Sequence, residues 1–69
     1  MSPSDPIAGS VKLSKPAHRA LAGAGIVTFA DLSGWTQRDV AALHGVGPAT
    51  FVELLPAMEA RGVAFGSPA

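Results

Sequence analysis

An internal repeat constrains this chain more than any other feature. Residues 20–32 read ALAGAGIVTFADL and residues 42–54 read ALHGVGPATFVEL, an offset of 22 positions. Ala, Leu, Gly, Gly, Thr, Phe and Leu coincide in the two copies, and Asp31 corresponds to Glu53. Apolar residues recur at helical spacing, and no window alternates with period two for long enough to make a strand. The pattern predicts two copies of helix, Gly-x-Gly turn, helix. The glycines are expected to reverse the chain by positive φ or by close backbone approach. The residue between them, Ala24 or Val46, is expected to plug the inside. Two such units can bury their apolar faces against each other about a pseudo-twofold axis.

Local signals divide the chain into four helices. Ser14 is a good N-cap, Pro16 sits in a first turn where early N–H groups lack partners, and Gly25 offers a left-handed stop. Thr28 with Asp31 resembles a capping box and opens a short helix from Phe29 to about Ser33, ended by Gly34. Thr36 with Asp39 repeats the signature and opens a third helix through Leu43. Pro48 opens a fourth, with Phe51, Leu54, Leu55 and Met58 on one stripe and Gly62 closing it. Pro56 removes a bond to the Val52 carbonyl, but the stripe continues at Met58, which predicts a kink and not a break. The expected core is Leu21, Ile26, Phe29, Leu32, Leu43, Phe51, Leu54 and Met58. Residues 1–10 lack periodicity and carry Pro3, Pro6 and Gly9, so they read as a flexible N-terminal tail. The folded domain then spans 11–66, with 67–69 as a C-terminal tail.

Composition removes several function classes. At 48% hydrophobic and 14% charged residues the chain is too apolar for a disordered, self-repelling segment. It has no cysteine, hence neither a disulfide framework nor a thiolate metal site. No apolar run approaches membrane-spanning length and Met1–Pro6 lacks a signal-peptide pattern, so the expected setting is cytoplasmic, without membrane contact. Five basic residues balance five acidic ones, so no global field recruits nucleic acid. Thr28 and Thr36 read as caps, since no base lies at a readable spacing, and His18 and His44 lack the companions a metal site needs. Trp35 reads as a packing residue. Neither catalytic residues, nor a metal, nor a cofactor is expected, and the chain does not read as an enzyme.

Leu43-His44-Gly45-Val46-Gly47-Pro48-Ala49-Thr50 resembles the helix-hairpin-helix signature: an apolar residue, a spacer, then Gly-apolar-Gly leading into a helix. Residues 13–66 are more widely similar to the C-terminal domain of the bacterial RNA polymerase alpha subunit. The similar stretches are Ala24-Gly25-Ile26, Asp31-Leu32, Thr36 with Val40, Gly47, and Ala60-Arg61-Gly62-Val63. The resemblance implies an all-α, four-helix double helix-hairpin-helix (SAM-like) domain. It also implies that backbone N–H groups of the second hairpin hold a DNA phosphate, chemistry that helix N-termini suit. The implied contacts are Gly45, Val46, Gly47 and Ala49, with a donor from the Thr50 hydroxyl. Pro48 and Ala49 stand where DNA-binding members usually carry Lys or Arg, and Pro16 stands where the polymerase domain has a DNA-contacting arginine. Arg19, one turn later, matches another contact position. Lys12, Lys15, His18 and Arg19 form a basic cluster without an acid between residues 6 and 30, and the fold would place it beside the second hairpin.

Two function classes follow. The first is a small module binding duplex phosphates weakly and mainly without sequence specificity, through the hairpin with Lys15 and Arg19. The second is a protein–protein interaction module that keeps the fold but has lost DNA binding. Three phosphate contacts would give a salt slope of roughly −2.7 and a dissociation constant around 10⁻⁴ M at physiological salt.

Overall fold

The computed structural model describes residues 1–66. It contains α1 (Lys15–Gly23), a 3-10 turn (Ala30–Gly34), α2 (Gln37–Ala41) and α3 (Pro48–Ala60). The described residues form no strand, only isolated bridges between Pro6 and Thr28 and between Ala8 and Val11. The described residues are all-α, with three α-helices; the expected second helix is a short 3-10 helix of five residues.

The helix starts form where the sequence places them. The Ser14 hydroxyl accepts from the Ala17 N–H at 3.3 Å. The Thr36 hydroxyl accepts from the Asp39 N–H at 3.0 Å. Around the 3-10 turn the exchange is reciprocal. Asp31 N–H donates to the Thr28 hydroxyl at 3.3 Å, and the Asp31 carboxylate takes the N–H groups of Thr28 and Val27, each at 2.9 Å.

The two long helices end by one mechanism. At α1, Ile26 N–H reaches back to Leu21 O and Gly25 N–H to Ala22 O. At α3, Val63 N–H reaches Met58 O and Gly62 N–H reaches Glu59 O. Both are Schellman ends, closed by a glycine with positive φ (Gly25 +81°, Gly62 +68°). Each one turns the following apolar residue, Ile26 or Val63, back onto the helix it has just left. α3 runs unbroken through Pro56, which lies on its exposed side together with Val52.

The core joins Leu21, Ile26, Phe29, Leu32, Val40, Phe51, Leu54 and Met58 to Ile7. Leu43, expected inside, is half-buried and only packs against this cluster, because α2 ends at Ala41 and leaves it in the turn. Leu55, expected on the buried stripe of α3, is 42% exposed. Phe51, Leu54 and Met58 already fill the inward arc of α3, and Leu55 falls at its edge. Trp35 is half-buried against the core, as its packing reading requires.

The N-terminal tail is a correction. Ile7 is only 2% exposed, and its N–H bonds to Val27 O at 2.9 Å. Phe29 N–H donates to Asp5 O and Ala30 N–H donates to Pro3 O. Residues 3–7 thus form a strap that supplies acceptors to the segment entering the 3-10 turn. Asp5 binds the Arg61 guanidinium, Nε to Oδ2 3.1 Å, and that guanidinium lies 4.2 Å from the centre of the Phe29 ring. At the other end, Gly66 N–H bonds to Trp35 O at 2.8 Å. The expected C-terminal tail, 67–69, lies outside the described residues.

Two predictions follow from the strap. Ile7→Ala should lower unfolding free energy by about 2–4 kcal/mol in urea denaturation, the cost of a core cavity; a change below about 0.5 kcal/mol would show a strap that carries nothing. The second concerns acid. A hydrogen bond from Ser2 N–H, and then the Arg61 guanidinium, hold the Asp5 carboxyl below its ordinary value of 3.8. The N–H groups of Thr28 and Val27 do the same for Asp31. Folded-state values below the unfolded ones stabilise the fold above the unfolded value, and that contribution is lost as pH falls through the folded ones. The urea midpoint should therefore drop on acidification below about pH 4, and less steeply in Asp31→Asn.

Candidate nucleic-acid interface

The second hairpin, residues 42–47, packs on the start of α1. Gly45 has φ +100°, and a Cβ there would stand 2.7 Å from Pro16 O and 3.0 Å from Pro16 C. Glycine is required twice over, by the dihedral and by the contact. Gly47 is different. It is the N-cap of α3 at φ −127°, ψ −179°, extended backbone open to any residue, with nothing within 4 Å of a Cβ position. In the first copy the positive φ falls instead on the second glycine, Gly25, while Gly23 still belongs to α1. The repeats share their core positions, Phe29 with Phe51 and Leu32 with Leu54, but not their turns.

Of the basic cluster, Lys12 reaches the α3 N-terminus. Lys12, Leu13 and Ser14 line a shallow pocket of about 200 Å³ with Ala49, Thr50 and Glu53. Lys12, Lys15 and Arg19 are exposed, and none forms a salt bridge among the described residues. Lys12 is the cation that lines this pocket, and its place in the basic run of the sequence was its signal; Lys15 and Arg19 are not among the lining residues, and Arg19 instead borders Ile7, Ala8 and Ile26. Glu53 sets one carboxylate against them.

The hairpin offers fewer free donors than the resemblance implies. Val46 is half-buried and its N–H donates to Leu43 O. Gly47 N–H donates to the Thr50 hydroxyl at 3.4 Å, and Thr50 N–H donates to Gly47 O. Thr50 is only 5% exposed, so its hydroxyl caps the helix and is no surface donor. The N–H groups of Gly45 and Ala49 have no acceptor among the described residues. Ala49, at the second position of α3, is exposed. Its free N–H and the positive end of the helix are what an anion would meet there.

The glycines give a direct test. Gly45→Ala should cost at least about 2 kcal/mol, through forced positive φ and the collision with Pro16. Gly47→Ala should cost less than about 1 kcal/mol, because alanine is only a modestly poorer N-cap than glycine. Thermal unfolding of both variants measures the contrast; equal losses would mean that the hairpin turns in another way.

Comparison with protein-family models, with curated proteins and with solved structures finds no match to this chain, so the reading of this edge rests on its own chemistry.

Proposed function

We propose that the protein is a small module holding duplex DNA by its phosphate backbone, weakly and mainly without base readout. The observation that carries the reading is the meeting of unpaired cations with a helix start. Lys12 lines a pocket with Ala49 at the α3 N-terminus, Lys15 and Arg19 follow on α1, and all three are exposed and free of ion pairs among the described residues. Cations without carboxylate partners are available to displace counterions from phosphates, and the Ala49 N–H can fix the register of one phosphate. On this reading α1, the 3-10 turn, α2 and α3 are the four segments of a double helix-hairpin-helix, with the second hairpin as the binding turn. The active donors are then Gly45 and Ala49, while Val46, Gly47 and Thr50 shape the turn.

The test is an NMR titration with a short duplex at about 20 mM salt, where phosphate contacts are strongest. Amides of Lys15, Arg19, Gly45 and Ala49 should shift. Affinity should fall with salt at a slope near −2.7, for about three contacts. Lys15→Glu with Arg19→Glu should leave the fold intact, since both side chains are exposed, and should flatten the slope by about two units. Absence of salt-dependent binding in the wild-type protein would remove the DNA reading.

A further inference from the structure

α3 is apolar on the side that its core does not use. Among its exposed residues only Glu53 and Glu59 are polar, and Val52 is 70% exposed. A helix that is apolar around most of its circumference is ordinarily covered on both sides. The Schellman end of α3 shapes the ground next to this face. It turns Val63 back toward the helix, and Phe65 then packs edge-on against Phe51, ring centres 6.1 Å apart. Between α3 and the returning segment lies a groove of about 500 Å³, lined by Leu55, Met58, Val63 and Phe65, with Gln37 and Glu59 among its polar groups. Its volume suits one or two large side chains.

The charge at the groove is one-sided. Among the described lining residues Glu59 is the only ionisable group. Arg61, at the end of α3, is taken: it binds Asp5 and Ala57 O, lies over the Phe29 ring, and its side chain is 8% exposed, while Arg38, next to Gln37, is not among the lining residues. The C-terminal end of α3 adds negative potential at the same place. We propose that this groove is a protein-docking site for a segment that presents a large apolar side chain beside a lysine or arginine. The apolar side chain enters between Leu55 and Phe65, and the cation meets Glu59. The site lies toward the far end of α3 from Ala49, roughly 15 Å along the axis at 1.5 Å per residue. It is independent of the DNA reading, and either can fail alone.

The test uses the full chain, isotopically labelled, and two synthetic amphipathic peptides. Both carry Leu and Phe at helical spacing; one has Lys at its flanking positions and the other has Glu. The Lys peptide should shift signals of Leu55, Met58, Glu59, Val63 and Phe65 and leave Lys15 and Arg19 unmoved. Glu59→Lys should weaken it by about tenfold or more and reverse the preference between the two peptides. Leu55→Asp, at an exposed position, should abolish binding of both. Equal binding of the two peptides by the wild-type protein, or shifts that map to the basic edge, would overturn the proposal. Shifts at the groove that grow with protein concentration, without peptide, would also overturn it by making a second copy the occupant.

Discussion

The clasp made by Arg61 holds the two ends of the chain over one aromatic ring. Its guanidinium lies on Phe29, its Nε reaches Asp5, and its Nη1 reaches Ala57 O at 2.9 Å. With a side chain 8% exposed, the cation has given up most of its water, and such a charge must be met by hydrogen bonds and an opposite charge. Asp5 supplies both from the N-terminal strap. That carboxylate also takes the Ser2 N–H at 3.0 Å, so it orders the strap that delivers it. A chain this short, without cysteine, has little core to spare. Fastening residues 5, 29 and 61 together closes Phe29 and Ile7 from solvent in a way that helix packing alone does not.

A second constraint acts at the second hairpin. Because Gly45 rests directly on the Pro16 carbonyl, the α2–α3 turn and the start of α1 are held at backbone contact. The separation leaves no room for a side chain, so it is set by main-chain atoms and is insensitive to the surface residues around it. Exposed cations can therefore be exchanged on this edge without moving the turn. The same contact explains the asymmetry of the repeat. Gly23, the counterpart of Gly45, has no such neighbour and simply finishes α1.

Much of the fold was legible because it is local. Ser14, Thr28 and Thr36 cap helices through bonds three residues long, and Gly25 and Gly62 close them through bonds of similar reach, so each signal lies within one window of sequence. Phe29, Leu32, Phe51 and Leu54 were legible because the repeat marks them twice. The strap was not, because Pro3-Ser4-Asp5-Pro6-Ile7 has one apolar residue and no period; only its partners at Val27, Phe29 and Arg61 show its purpose. Leu55 misled for a related reason. Its spacing fits the buried stripe, but which arc of an apolar helix faces inward is decided by the elements that cover it. Of the candidate site, the basic cluster and the hairpin were legible as residue types. Which of the hairpin's N–H groups were already spent on Leu43 O and the Thr50 hydroxyl was a matter of turn geometry, which spacing does not encode.

A formal charge of zero conceals how these groups are arranged along α3. Of the five basic residues, Arg61 is neutralised by Asp5 within the fold, while Lys12, beside the helix start, and Lys15 and Arg19, on α1, form no ion pair among the described residues. Asp31, among the five acidic residues, is held by backbone N–H groups, while Glu59 stands exposed near the helix end. The helix dipole runs with its positive end toward Lys12, where Glu53 sets one carboxylate, and its negative end toward Glu59. Like charge placed at each end of a dipole is electrostatically unfavourable, and a counter-charge relieves it. A phosphate at one end and a basic side chain at the other each supply it. The balanced composition thus hides an uneven distribution of charge along the fold.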